Sequence, residues 1–392
     1  MLIKKISRLG LVILLGSLAF EFQAQTTSVF TTGLNHPTKV ITSADNSLLV
    51  SESGTMTPNT GRISIVDRTS GARHTLISGL PSGVSNLGGP PETDGTTGIC
   101  LQGRTLYVTN GIGDGARNVG PGLEAPGLSP SSPIFDSILE LTLPGGYATL
   151  DSSFTLSLAD QNTLAGGTSV VLTNSEGKQL TVRLVADLPD YRSEPRLPLN
   201  PDNVRASHLF GCEIYQKDLY VANAAFNLVH RVNIASGETT TFVTFPSKVN
   251  PLFGTIGGPF VEAVPDNIHR VGNQLLIPLL SGFPFAPGVA EIQAVSLKDA
   301  ANQTLIPGLR SAIDVLQVET DGGAPSFYTL EFSSNQLAGS PGRMKFFSSA
   351  DATPEVVVPV LISPTSMTRD DSTGDIYVIN IFPGTITRVQ FP

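Results

Sequence analysis

One pattern of apolar and polar positions recurs six times along the chain: a polar turn, then a strand with three consecutive apolar or aromatic positions. The copies are SLLVSES (47–53), TLYVTNG (105–111), DLYVANA (218–224), QLLIPLL (274–280), SFYTLEF (326–332) and DIYVINI (375–381). Their third apolar positions fall at Val50, Val108, Val221, Ile277, Thr329 and Val378. After each copy comes a segment alternating with period two, as half-buried strands do; GRISIVDRTSG (61–71) and GTITRVQF (384–391) are examples. A third strand-like segment closes five of the units, such as ARHTLISGLP (72–81) and PEVVVPVL (354–361). The sixth unit runs out of chain. Its missing segment stands at the other end, as TTSVFTTGL (26–34).

That displacement predicts the architecture. Four short antiparallel strands cannot bury both faces alone, but six such units arranged radially can. The expected fold is all-β, a six-bladed β-propeller whose ring is closed by the N-terminal strand pairing in the last blade. Residues 25–392 then form a single domain, one ring; a helical solenoid is excluded because no window carries a capped helical period. The long interval between Val108 and Val221 predicts an insertion at about 145–178 in blade 2, with LTVRLVADLP (180–189) as that blade's outer strand. The segment 111–135 is rich in Gly and Pro and is expected to be a long loop without regular structure.

Composition narrows the function. The net charge is −9 with few Lys and Arg, which excludes a nucleic-acid surface, since phosphate contacts need clustered cations. Residues 1–24 combine Lys4, Lys5 and Arg8 with an apolar run at 9–16, the pattern of a cleaved signal peptide. No later apolar run is long enough for a transmembrane helix. An exported monomer, periplasmic or secreted, is expected. Cys100 and Cys212 are too few for a disulfide framework and read as buried free thiols, with a single Cys100–Cys212 bridge as the alternative.

Candidate chemistry sits where the strands meet the central channel. Two residues beyond the third apolar positions stand Glu52, Asn110, Asn223, Leu279, Glu331 and Asn380. The five oxygen-bearing members form a candidate ring for Ca²⁺ or a polar ligand. His36, Asp94, His208 and Asp266 enter the innermost strands and extend the candidate set. Turn chemistry is the competing explanation, since Asn, Asp and Glu bond to nearby backbone wherever strands end. His74, His230 and His269 read as surface positions. No nucleophile elbow, HExxH, P-loop or EF-hand motif occurs.

The chain resembles the ScyD/ScyE family of exported proteins, linked to scytonemin biosynthesis in cyanobacteria. The resemblance rests on FTTGLNHPTKVITSADNSLLVSESG (30–54), GTTGICLQGRTLYVTNGIGD (95–114), LVADLPDYRSEPRLPLNPDN (184–203) and DLYVANAAFNLVHRV (218–232). It implies an exported six-bladed propeller and brings no catalytic residues. The 145–178 insertion and VRASHLFGCEIY (204–215), in place of an Asn-Pro-Tyr-Gly entry, depart from the pattern. More distantly the architecture looks like NHL-repeat and SMP-30/gluconolactonase propellers, the latter holding a divalent metal through Glu, Asn and Asp. The expected function is therefore binding of a small molecule, glycan or protein on the loop-rich face, without catalysis. A metal-dependent lactonase-like hydrolase is the alternative, and a quinone-dependent sugar dehydrogenase a third reading.

Overall fold

Turn chemistry sets where the strands stop. Asp67, Asn233 and Asp370 each accept, through one side-chain oxygen, a backbone N–H two residues on. Each sits four residues ahead of a glycine with positive φ, namely Gly71, Gly237 and Gly374. These turns recur at DRTSG, NIASG and DDSTG and reverse the chain between antiparallel neighbours. The computed structural model describes residues 25–43, 45–87, 89–319 and 323–391. The expected signal peptide lies outside the described residues.

Six antiparallel sheets are built in chain order. The first comprises Pro37–Thr42, Ser47–Glu52, Gly61–Asp67 and Arg73–Leu80. The second comprises Glu92–Gln102, Thr105–Asn110, Ser137–Thr142 and Gln179–Asp187. The third runs from Leu209–Tyr215 to Thr239–Thr244, the fourth from His269–Val271 to Asn302–Leu309, and the fifth from Ala312–Glu319 to Glu355–Leu361. The sixth holds Pro364–Arg369, Ile376–Asn380 and Thr385–Gln390, and its fourth strand is Thr26–Thr31. Thr26 stands opposite Gln390 and Ser28 opposite Arg388. The Phe30 ring packs 5.1 Å from that of Tyr377, so the join is apolar as well as hydrogen-bonded.

Apolar clusters join successive sheets. Cys100, Ile138 and Val185 of the second sheet pack with Leu209, Val221 and Val232 of the third. Ile313 and Leu330 of the fifth meet Met367 and Val378 of the sixth. Val40, Leu48 and Val50 of the first meet Tyr377 and Ile379 of the sixth. Fully burying each Leu, Ile or Val is worth roughly 1.5–3 kcal/mol. This accounts for a core without tryptophan.

The first strands are further tied by polar contacts. Thr38 Oγ1 donates to the Thr97 carbonyl at 2.7 Å and Thr97 Oγ1 to the Leu209 carbonyl at 2.9 Å. The Gly211 N–H donates to the Asp266 carbonyl at 3.1 Å. Asn267 Nδ2 reaches the carbonyls of Ile313 (2.8 Å) and Thr365 (2.9 Å). Lys39, His269 and Asp314, from three different first strands, form a buried charged group. His269 is therefore not the free surface residue expected from the sequence. His230 is also mostly inside, beside Asn223 Nδ2 at 3.3 Å, and burial lowers its pKa to about 4.

Residues 145–178 fold against the first two sheets. Phe154–Thr155 pairs in parallel with Ile77–Ser78, a capped helix spans Leu158–Ala165, and Val170–Thr173 adds a strand beside Gln179–Asp187. Tyr147, Leu150, Phe154, Leu156 and Leu164 join the core between these sheets.

The 111–135 segment corrects its expectation: Ala116–Gly120 and Leu123–Pro126 are strands. They pair in a small sheet with Val204–Ala206 and Tyr191–Ser193. Gly and Pro content hid them because the two strands are short; they pair with each other in a hairpin, and the second also meets a partner about eighty positions away, Glu124 opposite Val204.

Gly79 has φ +78°, and a Cβ there would lie 2.2 Å from the Leu156 carbonyl oxygen. Gly79→Ala is expected to cost roughly 1–3 kcal/mol, read by urea denaturation. Limited proteolysis should show faster cleavage within 145–178 in the variant.

Candidate functional site

The five members of the expected ring do not converge. Side chains alternate between the two faces of a sheet, so a residue two beyond a buried apolar position shares its face and points toward a neighbouring sheet. Glu52 sits opposite Arg62 on the adjacent strand and pairs with it at 2.6 Å. Glu331 sits opposite Arg343 and binds both it and Lys345. Asn110 donates to Ser137 Oγ at 3.1 Å, and Asn380 to Thr387 Oγ1 at 2.9 Å.

Three of the five share a further role. Glu52 accepts the Asn35 N–H, Asn223 accepts the His208 N–H at 3.3 Å, and Glu331 accepts the Arg310 N–H at 3.0 Å. In each case the second strand's last side chain fixes the loop entering the first strand of the same sheet. The turn explanation accounts for the recurrence. Among the described residues no three His, Cys, Asp or Glu side chains are grouped as metal ligands would be.

The entry residues do come together. A cavity of about 600 Å³ opens where the first strands begin, and Asp94, His208 and Asp266 border it. His36 is not among its lining; its φ of +46° shapes the turn before Pro37, and its ring meets Phe382 edge-on. The small sheet roofs the cavity, with Glu124, Val204, Arg205 and Ala206 facing it. Roof and base are bolted together. Arg205 pairs with Glu262 at 3.1 Å and also binds the Ala225 carbonyl, while Arg192 lies 4.6 Å over the Phe226 ring.

Local structure explains why Asp94 and His208 meet. Asp94 accepts the Gly95 N–H at 2.7 Å and the Gly113 N–H at 3.1 Å, which orients its carboxylate toward His208 Nε2 at 3.3 Å. A Cβ at Gly111 would sit 2.7 Å from Asp94 Oδ1 and 3.2 Å from His208 Cδ2, so the close approach requires glycine. Asn223 holds the other end of the loop by donating to Ser207 Oγ at 2.8 Å.

A fourth member, Asp136, was missed. It is fully buried with φ +45°, and it accepts the Leu209 N–H at 3.3 Å. Its signal was a carboxylate directly after the apolar pair Ile134–Phe135 and ahead of the strand SILELT.

The charges are coupled. Burial alone would lower the His208 pKa, but Asp94, Asp136 and Asp266 outweigh it and raise it to about 9. Burial pushes the Asp136 and Asp266 carboxyls well above the ordinary range, partly opposed by His208. Burial and neighbouring Asp94 also raise Glu92 at the cavity edge. Asp136 Oδ2 and Asp266 Oδ2 have no hydrogen-bond partner. Behind this group, Cys100 and Cys212 face one another from adjacent sheets, with their Sγ atoms in direct contact.

Two outcomes follow from this geometry. Glu52→Gln and Glu331→Gln should each destabilise the fold by roughly 1–3 kcal/mol, by the same amount in EDTA as in Ca²⁺. The second concerns His208, whose folded-state pKa is raised from 6.5 to about 9. Its stabilising contribution is complete below the unfolded pKa and is lost as pH rises through about 9. Urea midpoints should therefore fall more steeply over that window in the wild type than in His208→Gln. Equal slopes would show that the histidine binds its proton no better when folded.

No family model matches the chain, and no curated protein matches it. Solved structures do. An auxiliary nutrient binding protein from Bacteroides thetaiotaomicron has a TM-score of 0.50 at 10% identity, over 92% of this chain and 70% of that one. A gluconolactonase from Xanthomonas campestris, XC5397, gives 0.47 at 9% identity over 94% and 90%. The β-propeller domain of Cps50 (Swd1) from Myceliophthora thermophila gives 0.44 at 9% over 94% and 100%. The chain is an all-β protein, and the solved structures similar to it include a β-propeller domain.

Proposed function

We propose that this chain is a six-bladed β-propeller of the ScyD/ScyE type that binds a small molecule in the roofed cavity where its first strands begin. Support for the ring comes from the contacts between first strands, and from apolar clusters that run from each sheet to the next and from the sixth back to the first. The pairing of Thr26–Thr31 with Thr385–Gln390 supports closure by the N-terminal strand. The basic and apolar pattern of residues 1–24 supports export, to the periplasm or beyond, with that segment removed. On this reading residues 145–178 are an insertion into the second blade.

The cavity carries the functional reading. Small-molecule sites are concave, mostly apolar and furnished with a few convergent polar groups. Leu87, Ile112, Leu280, Phe332 and Phe382 supply apolar walls, and Asp94, His208 and Asp266 the polar ones. The hydrogen bonds and ion pairs that Glu52, Asn110, Asn223, Glu331 and Asn380 make inside their own sheets speak against the metal-dependent hydrolase alternative. Binding without catalysis accounts for more of the site.

A fragment screen by ligand-observed NMR tests the proposal. Ala225 borders the cavity and is only half-buried, so Ala225→Trp should fill space without disturbing the core. Fragments should bind the wild type and lose binding in Ala225→Trp at unchanged melting temperature. An absence of binders, or binders indifferent to the tryptophan, would overturn the cavity as the site.

A further inference from the structure

The mouth of the cavity is not symmetrical. The residues immediately after the second strands are Ser53, Gly111 and Ala224 in the first three sheets, and Leu280, Phe332 and Ile381 in the last three. Of these, Ser53, Leu280, Phe332 and Ile381 line the cavity. This position is thus small in the first three sheets and large and apolar in the last three. Phe382 extends the apolar half and is itself 58% exposed.

Charge divides less evenly. Six carboxyl side chains border the cavity, Glu92, Asp94, Glu124, Glu194, Glu262 and Asp266, against Arg196, Arg205 and His208. Each basic group is already committed: Arg196 to Glu194, Arg205 to Glu194 and Glu262, and His208 to Asp94. Among the described residues no ion pair engages Glu92, Glu124 or Asp266. Asp266 is the most telling of these. Only 5% of the residue is exposed, its Oδ2 has no hydrogen-bond donor, and it borders the cavity. A buried carboxyl in this position is costly unless something supplies a donor or a positive charge.

We propose that the cavity takes an organic cation: an amine whose ammonium group lies on the Asp266 and Glu92 side and whose flat apolar body lies against Leu280, Phe332 and Phe382. An ammonium supplies both the missing donor and the missing charge. An anion would find no uncommitted cation on the wall. A neutral polyol would donate hydrogen bonds but could not, as a cation does, draw Asp266 and Glu92 into their ionised forms against the burial that raises their pKa values. The proposal rests on the cavity being the binding site, and its test separates the two readings.

The probes are 2-phenylethylamine, its neutral counterpart 2-phenylethanol and the anion phenylacetate, titrated calorimetrically into the wild-type protein at neutral pH. The amine should bind at least about tenfold more tightly than the alcohol, phenylacetate should not bind, and added salt should weaken the amine alone. Asp266→Asn should lower amine affinity by about tenfold or more and leave the alcohol unchanged. Glu92→Gln, at a more exposed position, should act in the same direction by a smaller factor and serves if Asp266→Asn fails to fold. Equal binding of amine and alcohol, both lost in Ala225→Trp, would overturn the cation and keep the cavity. Amine binding indifferent to Ala225→Trp and to both carboxyl variants would mark surface ion exchange and overturn the inference. Failure of all three probes would also overturn it, and the fragment screen would then decide the cavity on its own.

Discussion

Strands from opposite ends of the described chain lie side by side in the sixth sheet, and much else depends on that pairing. Without Thr26–Thr31, the strand Thr385–Gln390 would present an open edge of unpaired N–H and C=O groups. The Phe30 ring adds cover to Tyr377, and Arg388 lies 5.8 Å over Phe30. Because the next residues lead directly into Pro37–Thr42, the same pairing sets where the first sheet begins. Val40, Leu48 and Val50 can then pack on the sixth sheet, as the cluster of Leu34, Tyr377, Ile379 and Ile386 shows. A local join of two strands thus places the first entry loop at the rim.

Much of this could be read from the sequence because strands announce themselves by short-range pattern. Period-two alternation, Asx turns followed by glycine and the displaced copy at 26–34 are local signals, and each was enough to place a strand. The roof sheet was not readable in the same way. Its strands are three to five residues long, too short to show alternation, and its two local pairs are joined only by the contact of Glu124 with Val204. Residues 145–178 fall between: the hairpin around Asn174–Lys178 is visible in the sequence, but the parallel pairing of Phe154 with Ile77 is a tertiary contact.

The candidate site shows the same divide. Asp94, His208 and Asp266 could be selected because polar residues entering a first strand must face the channel or the loops above it. The recurrence of Glu and Asn at the strand ends follows from position in the sheet. Position in a strand fixes which face a side chain takes, and Glu52 and Glu331 face cationic partners built into GRISI and GRMKF. Asp136 escaped notice because its neighbours are apolar and its left-handed backbone has no single-residue signature.

The distinction between those two positions explains how one fold can carry a polarised cavity. The last residue of each second strand is constrained: where Glu52, Asn223 or Glu331 stands, its oxygen holds the entry loop in place. The next residue is tied to the entry loop through its backbone N–H, as Ala224 is to the His208 carbonyl and Phe332 to the Ser311 carbonyl, so its side chain can vary. Ser53, Gly111 and Ala224 stand there in the first three sheets, and Leu280, Phe332 and Ile381 in the last three. Gly111 shows what that freedom permits: any side chain there would collide with Asp94, so the glycine is what lets the carboxylate and His208 come together. Structural duty at one position and liberty at the next give a repeating frame a site that does not repeat.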